Sequence, residues 1–207
     1  MTTLRLRILT LLTTSLLMTG CEITHVVLLV GDSIAASDLL PPLHHHGSIQ
    51  YQDLIVPVAA VGGAALGRDY DAFRTRLQSA ERRGIPVDGA IVSLTTNDTR
   101  LGPPDTAAWP HVDTPEKRAE AIDRFMRLLP PVNVLWLVPH GPAVDQEKLA
   151  ALRTSLVEAC DRWDNLHLLD AELEWYAGED ADGVHLTRTG EVDAALALLA
   201  ELHRVGM

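Results

Sequence analysis

Five apolar, largely β-branched runs alternate along this chain with stretches of helical periodicity, and that alternation restricts the fold more than any other property. The first run, His25-Val26-Val27-Leu28-Leu29-Val30, has no polar face and stops at Gly31. Such a run reads as a strand buried on both faces. A weaker second strand spans 55–59, where Pro57 has no N–H to donate and therefore suits an edge. Residues 89–94, 132–138 and 165–169 complete the set. Tyr70, Phe73, Leu77 and Ala80 form a helical stripe that Gly84 stops. Ala119, Ile122, Met126 and Leu129 form another, with Thr114 as its cap and Pro115 at its first position. Leu149, Leu152, Leu156, Cys160 and Trp163 mark a third, and Val192, Ala195, Leu196, Leu199 and Leu202 the last. Strands alternating with helices imply crossover connections and a mostly parallel five-stranded sheet covered on both sides. With no internal repeat and no second core, the expectation is an α/β protein with one domain over 21–207.

Residues 1–20 read differently. Arg5 and Arg7 are their only charges, and an apolar, Thr-rich run from Ile8 to Met18 follows. A basic start, a short apolar core and small residues before a break describe a signal peptide. The run is too short for a stable bilayer span. Leu17-Met18-Thr19-Gly20-Cys21 resembles a bacterial lipobox, which implies a lipidated Cys21 and a membrane anchor in the cell envelope. Glu22 rather than Asp after that cysteine implies the outer membrane in a Gram-negative cell. The second cysteine, Cys160, falls on a helix's apolar face and is expected to be a small core residue.

Composition removes several classes of function. The formal net charge is -11, a poor match for phosphate backbones, so no nucleic-acid partner is expected. Without residues 1–20 there are 15 cations against 28 acids, which makes the charge -13. Two cysteines cannot staple a disulfide scaffold or supply a four-thiolate zinc site.

In an open parallel sheet, ligands bind outside the carboxyl ends of the strands. The residues following each strand therefore carry the functional reading. After the first come Gly31-Asp32-Ser33-Ile34; after the second, Gly62-Gly63; after the third, Asn97-Asp98; after the fourth, Pro139-His140-Gly141. Before the last helix comes Asp182-Gly183-Val184-His185. A serine hydroxyl needs a base, which an imidazole poised near neutral pH can supply. Asp182, three residues before His185, can orient that ring and stabilise its cation. Acyl transfer also needs donors aimed at the developing oxyanion. The Ser33 N–H, the Gly63 N–H and the Asn97 amide are available. Each feature has a plainer reading: Ser33 as a helix N-cap, Gly62-Gly63 and Asp182-x-x-His185 as turns, Asn97 as an Asx turn.

Taken together and in this order, these blocks resemble those of the SGNH (GDSL-type) hydrolases, over residues from about 25 to 204. The resemblance implies a flavodoxin-like three-layer α/β/α sandwich. It implies Ser33 as nucleophile, His185 as general base and then acid, and Asp182 as its orienting partner. It implies Ser33, Gly63 and Asn97 as oxyanion donors, and a structural role for Asp32. Two positions depart from the pattern. Thr95 stands where the third block normally opens with Gly, and Val58 where the second normally has Asn. If the backbone at 95 needs positive φ, a β-branched residue is costly there.

The expected activity is a serine esterase acting on a short-chain or acetyl O-acyl ester of a small molecule or carbohydrate, monomeric, with no metal and no cofactor. The alternatives are an O-acyltransferase to a carbohydrate hydroxyl and, less favoured, an inactive envelope-binding domain. His140 and Trp109, with His111, are candidate substrate contacts. His44-His45-His46, just after Pro41-Pro42, are expected on a solvated surface loop rather than at a metal.

Overall fold

The computed structural model describes residues 25–51, 54–56, 58–62, 64–82, 84, 86–101, 111–177 and 182–206. The expected signal segment 1–20, Cys21, Gly63 and Trp109 lie outside the described residues.

The strands are β1 (His25–Gly31), β2 (Leu54–Ile55), β3 (Val58–Ala60), β4 (Gly89–Ser93), β5 (Asn133–Val138) and β6 (Leu166–Asp170). All pairings are parallel, in the order β2-β1-β4-β5-β6, and β3 pairs β1 on the same side as β2. The expected strand over 55–59 is thus two short strands separated at 56–57. His25 faces Leu54 and Leu29 faces Val58, so the register is unchanged across the break. The sheet has five positions, and its centre is fully buried: Leu29, Val30, Ile91, Val92, Leu135 and Trp136 expose nothing.

The helices are α1 (Leu40–Tyr51), α2 (Tyr70–Glu81), α3 (Thr96–Thr99), α4 (Pro115–Met126), α5 (Gln146–Cys160) and α6 (Arg188–Arg204). A π-helical segment, Ile34–Leu39, leads into α1, and a 3₁₀ turn spans Leu173–Tyr176. Side chains alternate across the sheet. Leu28, Val30, Val92 and Trp136 pack with Phe73, Ile122, Phe125 and Leu152 of α2, α4 and α5. Val27, Leu29, Ile91 and Leu135 pack on the other side with Ile34, Leu39, Leu198 and Leu202. Each fully buried Leu or Ile contributes about 1.5–3 kcal/mol. This is the expected three-layer sandwich.

Capping follows the sequence. Thr114 accepts from the Lys117 amide with Pro115 next to it, Asp145 caps α5, and Thr187 accepts from Gly190 at α6. Gly84 ends α2 at φ 65°.

Two expectations are corrected. Residues 41–46 are helical rather than a loop. Pro41 and Pro42 follow on the π-helical segment, at the point where it passes into α1. The preceding π turn, in which the Leu40 amide reaches back to Ala35, delivers the chain into that helix. His44 and His45 are exposed on α1 and His46 is half-buried. Cys160 is only half-buried at the end of α5, against the core rather than in it, and burial raises its thiol pKa.

Candidate active site

Read as five positions, the strand order reverses direction between β1 and β4, so the loops that follow these two strands leave the sheet in opposite directions. Gly31 makes the approach there possible. A Cβ on it would stand 1.9 Å from the Ser93 carbonyl oxygen. That carbonyl accepts the Asp32 amide at 3.0 Å, joining the ends of β1 and β4.

Ser33 follows directly, in helical conformation, and its side chain makes no capping bond. Its Oγ lies 3.2 Å from His185 Nε2 instead. His185 Nδ1 lies 2.8 Å from Asp182 Oδ2. An ionised carboxylate only accepts, so Nδ1 carries the ring proton and Nε2 is left as acceptor for the Ser33 hydroxyl. The Asp182 turn is held from within: Oδ1 accepts the amides of Val184 at 2.8 Å and His185 at 2.7 Å. The His185 hydrogen bond and these amides pull the Asp182 carboxyl down to about 2. Asp182 in turn raises the His185 pKa, against partial burial and with help from Asp38 and Asp32. Ser33, His185 and Asp182 are therefore brought together as one chain of polar contacts.

Asp32 is fully buried and braces this corner. Its Oδ1 accepts the Ile34 amide at 3.0 Å, and its Oδ2 accepts from Asn97 Nδ2 at 3.1 Å. Burial pushes its carboxyl up to about 7. Asn97 Nδ2 also donates to the Ala64 carbonyl at 2.9 Å. Both amide hydrogens of Asn97 thus have acceptors within the protein, and a ligand oxygen would have to share or displace one. Asp98 receives the Leu66 amide at 2.9 Å, which ties the loop after β3 to the loop after β4. Its own burial raises it to about 7, and its Oδ1 is buried without a hydrogen-bond partner.

The remaining candidates divide. His140 is half-buried beyond β5 on the same edge, and its amide donates to the Tyr176 hydroxyl at 3.5 Å. His111 is exposed and packs against Gly67, where a Cβ would meet its own Cβ at 2.7 Å. Arg118 holds the carbonyls of Val112 and Asp113 at the start of α4. Sequence reasoning missed Asp38. Its carboxylate, 5% exposed, accepts the Leu186 amide at 3.0 Å. An acid among the apolar positions Ile34, Ala35 and Leu39 was the available signal. Among the described residues, no cluster of His, Cys, Asp and Glu is arranged to hold a metal, and no helix is long and apolar enough to cross a membrane.

No protein-family model and no curated protein matches the chain. Solved structures do. The acetyl xylan esterase AlAXEase aligns at TM-score 0.61 and 14% identity, over 85% of this chain and 98% of that one. The C-terminal catalytic domain of Streptococcus pneumoniae peptidoglycan O-acetyltransferase A aligns at 0.56 and 13%, over 88% and 94%. A Slackia heliotrinireducens protein described as an SGNH hydrolase aligns at 0.57 and 15%, over 87% and 99%. The fold is that of SGNH hydrolases. At these identities the likeness carries the fold alone.

Thr95, which stands where the resemblance leads one to expect Gly, is the informative position. It adopts φ 107°, ψ -13°, the left-handed conformation that favours glycine. It is the one non-glycine residue with positive φ among the described residues. It is fully buried, and its Oγ1 has no hydrogen-bond partner. The backbone of this loop has the shape that glycine would serve, with a threonine in it. Asn97 still reaches Asp32 from this turn, so the substitution does not remove it from the corner.

Proposed function

We propose that this chain is a serine esterase that cleaves an O-acyl ester, short-chain or acetyl, on a small molecule or carbohydrate. The continuous Ser33–His185–Asp182 contact at the carboxyl edge carries the reading. Ser33 Oγ attacks the acyl carbonyl carbon while its proton passes to His185 Nε2. The tetrahedral oxyanion is met by the Ser33 and Gly63 N–H groups and by Asn97, which gives up part of its bond to Ala64 or Asp32. Asp182 stabilises the imidazolium. The C–O bond to the alcohol breaks, and the alcohol leaves with the proton from His185. Water then attacks the acyl-Ser33 ester by the same route and frees the acid.

Transfer to a sugar hydroxyl in place of water is the second reading. It is supported by the likeness to an O-acetyltransferase catalytic domain. Both readings use the same first half-reaction. A lipid anchor on Cys21, with secretion to the envelope, belongs to the same proposal. The strand amino ends would then face the membrane, and the Ser33 edge would face away.

The test is turnover of 4-nitrophenyl acetate by the purified protein beside Ser33→Ala, with and without a sugar acceptor. Loss of several orders of magnitude in the variant supports the esterase. Acylated acceptor supports transfer. Equal rates for the two proteins overturn the assignment of Ser33.

A further inference from the structure

We propose that Asp38 is a positioning residue for His185, tying the segment that bears the imidazole to the helical turn that bears Ser33 and keeping a carboxylate beside the ring. This rests on the reading of Ser33 and His185 as nucleophile and base.

Asp38 lies in the π-helical segment Ile34–Leu39, immediately beyond Ser33. Its neighbours Ile34, Ala35 and Leu39 are buried apolar residues. An ionisable side chain among them is costly unless it is paired. Its partner is the main-chain N–H of Leu186, the residue next to His185, at 3.0 Å and 148 positions away in sequence. Asp182 holds His185 from one side through ring Nδ1 and the His185 amide. Asp38 holds the next peptide from the other. Two carboxylates thus fix consecutive amides, and the second is anchored in the same turn as the nucleophile. A one-residue widening of a helix is a recurrent device for aiming a side chain at a functional site.

Burial acts most strongly on Asp38 and raises its pKa above the ordinary carboxylate value, joined by Glu191 of α6 and Asp182; the Leu186 amide and His185 pull the other way and favour its ionised form. Asp32 and the Tyr176 phenol also lie within its electrostatic reach. The His185 ring contacts Asp182 and feels the charges of Asp38 and Asp32, and all three favour its cation. When the Ser33 proton reaches Nε2, Asp38 therefore helps hold the new positive charge as well as the geometry.

The test uses Asp38→Asn, whose amide oxygen can still accept from Leu186 without charge, and Asp38→Ala, which removes the tether without burying a new donor. Two readouts apply: NMR titration of the His185 ring, and the pH profile of kcat/KM on 4-nitrophenyl acetate. In Asp38→Asn the ring titration and the acid limb both move to lower pH, and kcat falls several-fold. In Asp38→Ala the titration moves the same way, and kcat falls on the order of 10²-fold with a smaller change in KM, as misplacement of a base predicts. A merely structural residue would lower thermal stability and leave the titration of His185 in place. A folded variant of either kind with wild-type titration and kcat overturns the proposal. If the wild type cleaves no ester yet the His185 titration still moves, the placement of Asp38 stands and the esterase reading falls.

Discussion

Gly141 and Gly183 meet so closely that a Cβ on Gly141 would lie 2.4 Å from the Gly183 carbonyl oxygen. That same carbonyl accepts the Ala143 amide at 3.1 Å. Gly183 has φ 76° and follows Asp182 directly. The loop after β5 is therefore the wall against which the Asp182 turn is set. Gly141→Ala must push that turn away and take Asp182 and His185 with it. The expected result is a loss of kcat/KM on the order of 10²-fold, typical of a small misplacement of reacting groups. Undiminished turnover in a folded variant would show that the turn does not depend on this contact.

The pH dependence follows from His185. To accept the Ser33 proton the ring must be neutral, and Asp182 raises its pKa above the ordinary histidine value. Activity should fall as pH drops through that raised value, so the acid limb of kcat/KM lies above the limb of an unpaired histidine. Asp182, held at about 2, stays ionised throughout. Asp182→Asn should move the limb to lower pH and cut kcat by about 10⁴-fold, because the ring proton is no longer directed to Nδ1.

Thr95 stores strain. A non-glycine residue in the left-handed region costs of order 1–3 kcal/mol. Its buried hydroxyl also lacks a partner. Thr95→Gly relieves both, against the extra chain entropy of glycine and the space left by the side chain. A net stabilisation of about 1 kcal/mol in urea unfolding is expected. A destabilised variant would mean that packing of the threonine methyl outweighs the strain.

Asp98 makes stability depend on pH. Burial raises its folded carboxyl from 3.8 to about 7. The native state therefore holds this proton more tightly than the unfolded chain. Its contribution is fully present below pH 3.8 and is lost as pH rises through about 7. Asp98→Asn keeps an acceptor for the Leu66 amide without the charge. The difference in Tm between variant and wild type should grow in the variant's favour from pH 5 to pH 8. A constant difference would place the titration elsewhere.

The reading of residues 1–21 is tested by fractionation. Expressed in a Gram-negative host, the full chain should partition with membranes, and Cys21→Ser should release it. An unchanged distribution would remove the lipid anchor.

The buried strands and the polar residues at their ends were legible because each rests on local rules. Period, capping and strand-end position led to β1, β4, β5 and β6, to Thr114 as a cap, and to the positions of Ser33, Asp182 and His185. Residues decided by distant packing were not legible. Pro41-Pro42 reads as a helix breaker, yet the chain runs from a π turn straight through both prolines into α1. Asp38 stands out among apolar neighbours, but that its partner is the Leu186 amide appears only in the fold. The strain at Thr95 was foreseeable from the resemblance, but its orphaned hydroxyl depends on what surrounds the turn. Asn97 was readable as a donor. Its prior engagement with Asp32 and Ala64 depends on three loops meeting.

The 152-residue separation between Ser33 and His185 has a consequence for biogenesis. The nucleophile is made among the first residues of the domain, and its base arrives with the last helix. A ribosome-bound chain that has not yet reached His185 has a complete β1 and a Ser33 without its imidazole partner. On the proposed esterase reading, activity can begin only when the segment bearing His185 docks beside the π turn. Proteolytic removal of that segment would silence the protein without touching Ser33, so turnover in a culture reports the population of finished molecules rather than the amount of chain made.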